Sequence, residues 1–142
     1  MNENFIAKAS IAINAPRQAV WEALTSPEAI KEYMFGARVD TDWQEGGPIS
    51  WKGQWQGKSY EDKGTILQFS PAQRVQYTHY SPLSGLPDKP EYYHTVTIDL
   101  AENGTGTEVM LAQDHNATEA ARVHSEKNWK LMLGGLKKFV EK

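Results

Sequence analysis

Four histidines are the only side chains in this 142-residue chain that ordinarily change charge near neutral pH, because the sequence holds no cysteine. Two of them, His79 and His94, fall in segments whose apolar residues alternate with a period of two, so each is read as a strand residue. An antiparallel pairing that keeps the apolar side chains on one face puts His79 opposite His94, Tyr77 opposite Val96 and Val75 opposite Ile98. Carrying these rows into the next strand, with Leu100 opposite Thr107, places Val109 beside Ile98, Leu111 beside Val96 and Gln113 beside His94. The inward face is then apolar at one end and polar at the other, where His79, His94 and Gln113 form a row.

Such a row supports several kinds of chemistry. Its hydrogen-bonding groups can be met by the polar head of a ligand held in a cavity. They can equally be met by one another, by backbone groups or by water, or they can sit at an exposed rim. With His115 added, the imidazoles form a possible metal set, though no carboxylate stands at a firm spacing from them. One imidazole could also serve as a general acid or base in a shaped cavity. The sequence shows no Gly-x-Ser-x-Gly elbow, no glycine-rich phosphate loop and no His-Glu-x-x-His pattern. The reading therefore favours binding over catalysis and expects no metal and no cofactor. Trp51 and Trp55 share one strand face, and Trp129 and Met132 share one helix face. With Tyr77, Val96 and Leu111 they either fill a core or line a cavity suited to a flat apolar ligand.

The elements that must position these residues are legible from periodicity and punctuation. Ile11 and Ile13 alternate with Ala12 and Asn14 as a strand, and Pro16 then starts a helix in which Val20 and Leu24 share a face beside Trp21. Ser26 caps a second, short helix with Pro27 at its first position and Glu28 in its first turn; it passes through Ile30, Tyr33 and Met34 and stops near Gly36. Strands follow at 37–43, 49–55, 60–69, 75–80, 92–100 and 107–114, with a bulge expected where Ile66 and Leu67 stand side by side. Residues 81–91 hold three prolines and read as a loop long enough to hang over one end of the sheet as a lid. Asn116 and Glu119 fit a capping box for a final helix with Ala121, Ser125, Trp129, Met132, Leu136 and Val140 on one face and Leu133 adjoining. Lys127, Lys130, Lys137 and Glu141 fall opposite. Gly134 and Gly135 in that helix imply close packing or space left for something.

Length and a hydrophobic content of 39% suit one domain over residues 1–142. The formal charge of -3 with mixed signs gives no basic field for nucleic acid. The N-terminus lacks the basic-then-apolar pattern of a signal peptide, and no apolar run approaches the roughly 18 residues of a membrane span. A cytoplasmic location is the expectation.

The chain resembles the START-like, helix-grip superfamily of the birch-pollen-allergen type, and within it the family similar to the C-terminal domain of the Hsp90 ATPase activator. The resemblance is carried by Ile13-Asn14-Ala15-Pro16, by Val20-Trp21 through Leu24-Thr25-Ser26-Pro27-Glu28, and by Gly46-Gly47. Gly64 with Phe69-Ser70-Pro71, and Asn128-Trp129 followed by Leu133, Leu136 and Lys137, complete it. It implies an α+β fold of order β-α-α-β6-α, with a curved antiparallel sheet wrapped on a long C-terminal helix. It also implies an apolar or amphipathic ligand held between sheet and helix, with cyclase or aromatase relatives and a chaperone partner for the namesake activator as alternatives. No counterpart of the activator's N-terminal, chaperone-stimulating part is expected here, and likeness of fold does not fix function.

Overall fold

The computed structural model describes residues 5–34, 36–55, 57–82 and 85–141, with Trp55 represented by its backbone. Strand β1 (Phe5–Ile13) leads through Pro16 into α1 (Arg17–Thr25), then α2 (Pro27–Tyr33). Pro16 occupies the cap of α1 rather than its first turn. Ser26 caps α2 as expected, accepting a hydrogen bond from the Ala29 amide, with Pro27 in the first turn. The Tyr33 hydroxyl donates to the Ala23 carbonyl at 3.0 Å, tying the two helices together.

The remaining strands are β2 (Arg38–Thr41), β3 (Pro48–Trp55), β4 (Lys58–Ser70), β5 (Arg74–His79), β6 (His94–Asn103) and β7 (Gly106–Asn116). With β1 they form one antiparallel sheet of order β1-β7-β6-β5-β4-β3-β2. The expected bulge is present: the β4–β5 register shifts between Ile66 and Gln68. Ile66 is fully buried and Leu67 exposed, and beyond Gln68 the strand returns Phe69 inward, where its ring lies 5.1 Å from Trp21 and 5.8 Å from Trp43.

The β5–β6 register agrees with the sequence reading, with His79 opposite His94, Tyr77 opposite Val96 and Val75 opposite Ile98. The β6–β7 register does not. Val96 faces Gln113, Ile98 faces Leu111 and Leu100 faces Val109, two residues away from the expected pairing. The reason lies in the turn. Both strands run past their apolar stretches until Asn103 pairs with Gly106, leaving only Gly104 and Thr105 between them, and Gly104 supplies the positive φ that a two-residue hairpin loop needs. Because the shift is even, every inward residue stays inward.

The final helix, α3 (Glu119–Val140), is capped by Thr118 and not by Asn116. The Asn116 side chain is buried and donates to the Phe5 and Gln113 carbonyls while accepting from the Ser125 hydroxyl, so it is unavailable as a cap. Met132, Leu133 and Leu136 are buried against the sheet and the first two helices, each contributing about 1.5–3 kcal/mol by leaving water.

Lys137 and Glu141, expected on the solvent side, instead reach the edge strand. The Lys8 amide donates to Glu126 at 3.1 Å, the Asn14 amide donates to Glu141 at 2.7 Å, and the Lys137 ammonium donates to the Ala12 carbonyl at 2.9 Å. These amides are the first cause holding the Glu126 and Glu141 carboxyls below their ordinary values. The helix thereby satisfies main-chain groups of β1 that have no strand beyond them.

The two helical glycines differ. A β-carbon on Gly135 would lie 3.2 Å from the Tyr33 β-carbon, whereas one on Gly134 would meet nothing within 4 Å. Gly134→Ala is therefore expected to raise stability by about 0.8–1 kcal/mol, the helical penalty of glycine. Gly64→Ala, whose β-carbon would fall 1.7 Å from the Thr78 carbonyl oxygen, should lower it by about 3 kcal/mol. Urea unfolding of both variants measures this; a neutral Gly64→Ala would contradict the close approach of β4 to β5.

Candidate functional site

The polar end of the concave face is built by strand alternation. On β4, residues two apart from Ile66 run inward through Gly64 to Asp62, which pairs with Trp51 on β3. His79 is the inward residue of β5 next along the row, and its Nε2 lies 2.8 Å from Asp62 Oδ2. The carboxylate can only accept, so the neutral imidazole carries its proton on Nε2 and leaves Nδ1 bare. Asp62 Oδ1 and His79 Nδ1 are both buried with no hydrogen-bond partner among the described residues. The Trp51 ring meets His79 edge-on at 5.2 Å and Tyr77 at 5.1 Å.

His94 stacks on His79 with ring centroids 6.3 Å apart. Its Nδ1 donates to the Asp114 carbonyl at 2.7 Å, which fixes the neutral ring with Nε2 as acceptor. Burial pushes its pKa below the ordinary value, against the opposing pull of that carbonyl, and the neighbouring His79 adds to the depression.

Gln113 stands one row away, opposite Val96, and does not extend the histidine row as the sequence reading had it. Its Oε1 accepts from Trp129 Nε1 at 2.7 Å, which joins α3 to β7. His115 has φ 58 and turns its Nδ1 to Asp114 at 2.9 Å, so the possible third imidazole of a metal set is not delivered to His79 and His94. Among the described residues no group of three histidine or carboxylate side chains could hold a metal ion.

Trp51, Tyr77, Val96, Leu111 and Met132 are buried in the core, and Trp129 packs half-buried against it. The Trp55 side chain lies outside the described residues. The space bounded by Trp51, Tyr77, Ile98, Met34 and Met132 is only about 30 Å³, so the heart of the grip is filled. A second recess of about 180 Å³ opens between α3 and the sheet, lined by Met34, Gln113, Ser125, Asn128, Trp129 and Met132. Met34 and Met132 belong to both and form the partition between them.

The described residues of the 81–91 loop are fastened to Lys63 of β4 and to the tyrosines that flank His79 and His94. Asp88 pairs with Lys63 and accepts from the Tyr93 hydroxyl, Tyr93 stacks on Tyr80, and the Tyr80 hydroxyl donates to the Leu86 carbonyl. Asp62 escaped the sequence reading because the adjacent Ile66 and Leu67 hid the phase of β4. Counting back in twos from Ile66 reaches it through Gly64.

A curved antiparallel sheet gripping one long helix, with an apolar interior and one polar end, defines a helix-grip α+β domain. The chain belongs to the family of Activator of Hsp90 ATPase homolog 1-like proteins, whose profile matches residues 14–141. Among solved structures it is similar to ChR145 from Cytophaga hutchinsonii, with 58% identity, a TM-score of 0.86, and coverage of 99% of this chain and 97% of that one. The fold is shared by the Aha1 dimer from Colwellia psychrerythraea at 19% identity and TM-score 0.73, over 96% of both chains. It is shared too by DynU16 of the dynemicin biosynthetic locus at 16% identity and TM-score 0.79, over 97% of this chain and 48% of that one. No curated protein matches the chain. None of the described helices is long and apolar enough to cross a membrane.

The buried His94 gives a pH signature of defined sign. Its folded pKa lies below the unfolded one, so the unfolded chain binds the proton more readily. Its contribution to stability is complete above the ordinary value of 6.5 and is lost as pH falls from there through the depressed folded value. Urea midpoints at neutral and mildly acidic pH should therefore differ less in His94→Phe than in the parent; an unchanged difference would contradict this reading of His94.

Proposed function

We propose that the protein binds a small amphipathic molecule between α3 and the sheet, its apolar body against Trp129, Met132 and Met34 and its polar end at Gln113. The observation that carries this reading is the recess of about 180 Å³ at that place, polar on one side and apolar on the other. Its volume is below the roughly 300–1,000 Å³ of sites for drug-sized ligands, so the occupant is small or the partition moves. Both partition residues are methionines, whose unbranched side chains change rotamer at little cost and would join the recess to the space beside Trp51. Gln113 accepts from Trp129 through one of its Oε1 lone pairs, which leaves its amide group to meet a ligand. The fold shared with DynU16 and with the Aha1 dimer supports the architecture and leaves the ligand's identity to these residues.

Native mass spectrometry of freshly purified protein and thermal shifts across a panel of lipids and aromatic compounds test the proposal. A true ligand at about 100 times its Kd stabilises by about 2.7 kcal/mol and raises Tm with concentration. Trp129→Leu should retain the fold and lose most of that rise. A panel in which no compound moves Tm, from protein that carries no small molecule, would overturn the reading.

A further inference from the structure

Gln113 is only 7% exposed, yet half of its side-chain amide has no partner. Its main-chain carbonyl accepts from Asn116 and its Oε1 accepts from the Trp129 indole, while among the described residues nothing accepts from Nε2. The orientation of the amide is not free. An indole N–H can only donate, so Trp129 requires the oxygen of Gln113 on its own side and turns the NH2 group to the other. Buried polar groups are ordinarily paired, and this one stands in the wall of the recess beneath α3.

The rest of the wall defines what can meet it. The Ser125 hydroxyl gives its hydrogen to Asn116 Oδ1, so toward the recess it offers only an oxygen that accepts. Asn116 in turn donates to the Gln113 carbonyl, which ties the donor and the acceptor into one set. Met34, Met132 and the Trp129 ring supply the apolar remainder, surfaces that favour an aromatic ring. No titratable side chain among the described residues lines the recess. On α3, Arg122 is committed to Glu119 and Glu126, and Lys137 to Glu141. The volume of about 180 Å³ suits a single ring with one substituent, since an apolar cavity of about 150 Å³ holds benzene.

We propose that the recess selects an uncharged single-ring aromatic compound bearing a carboxamide or similar carbonyl group, and that Gln113 is the residue that sets this preference. The proposal deepens the ligand-binding reading and rests on it. The ligand's carbonyl oxygen accepts from Gln113 Nε2, and an amide N–H of the same ligand meets Ser125 Oγ. A carboxylate of equal shape can take the Gln113 N–H with one oxygen, but its other oxygen faces that of Ser125 with no hydrogen between them. Turning the hydroxyl round would strand Asn116 Oδ1, on a residue only 5% exposed. No cation in the wall offsets the water that the carboxylate's charge would lose. Organic acids, which an apolar cavity alone would admit, are thereby disfavoured.

Benzamide and benzoate are nearly identical in shape, and only the second is ionised at neutral pH, so the pair separates charge from fit; toluene is the apolar control. Binding is read by NMR titration at the Trp129 indole N–H, the Gln113 side-chain NH2 and the Met34 and Met132 methyl groups. Benzamide should bind about tenfold more tightly than benzoate or toluene and should move the Gln113 signal. Gln113→Glu keeps an acceptor for Trp129 and puts an oxygen where the donor stood, so benzamide should fall to the affinity of toluene. If that variant does not fold, the parent decides alone, since benzamide must hold its margin over benzoate and carry the Gln113 signal with it.

Benzoate binding as tightly as benzamide, or a Gln113 signal that stays still while the methionine methyls move, would overturn the preference and leave the ligand-binding reading standing. If none of the three compounds moves any of these signals, the preference is overturned. If the wider panel of lipids and aromatic compounds is silent as well, the ligand-binding reading falls with it.

Discussion

The grip of this fold depends on how its last helix meets the edge of its sheet. A strand with no neighbour presents unpaired amides and carbonyls, and β1 is such a strand over its outer margin. Glu126, Lys137 and Glu141 of α3 reach across to the main chain at Lys8, Ala12 and Asn14. These polar contacts fix where the helix lies along the strand. That position in turn decides which side chains face inward, bringing Met132, Leu133 and Leu136 over the core and Trp129 within reach of Gln113. Arg122, paired with Glu119 and Glu126, holds the first of the two carboxylates in place from within the helix.

Under that helix the interior divides sharply by polarity. From Val75, Ile98 and Leu100 toward the α1 end the core is apolar and closed. Toward the other end the same face carries Asp62, His79 and His94, groups that a well-filled core would normally replace with hydrocarbon. The apolar half has no room for a ligand of any size as it stands, and the recess beside Trp129 is small. What lies between them is a pair of methionines, Met34 and Met132, whose unbranched side chains repack at less cost than branched ones.

Much of the architecture was legible in the sequence because it is written in short-range chemistry. Ser26 and Pro27 before an apolar face mark a helix start, and alternation from Val75 to His79 and from His94 to Ile98 sets which residues face inward, with the two apolar stretches matched along their length. The β6–β7 register was misjudged because Ala101, Glu102 and Asn103 carry no apolar signal, yet main-chain pairing continues through them to a two-residue turn. Asn116 looked like a cap because its type is right for one; burial between β1 and α3 gave it other partners. Lys137 and Glu141 looked like solvent-facing charges, and nothing local reveals that a strand edge lies beside them. Asp62 was hidden by a break in phase, and no pattern within ten residues of it would have named His79 as its partner.

That break has a consequence of its own. At Ile66–Gln68 the strand carries one residue more than its partner, and the surplus residue, Leu67, faces solvent. Removing it would leave Asp62, Gly64, Ile66 and Phe69 all directed inward as before; what would vanish is the bend that an extra residue puts into a sheet. Composition and curvature are thus written separately in this strand. The curvature over the hollow under the helix thus depends in part on a leucine on the outside of the protein, away from every side chain that lines the recess.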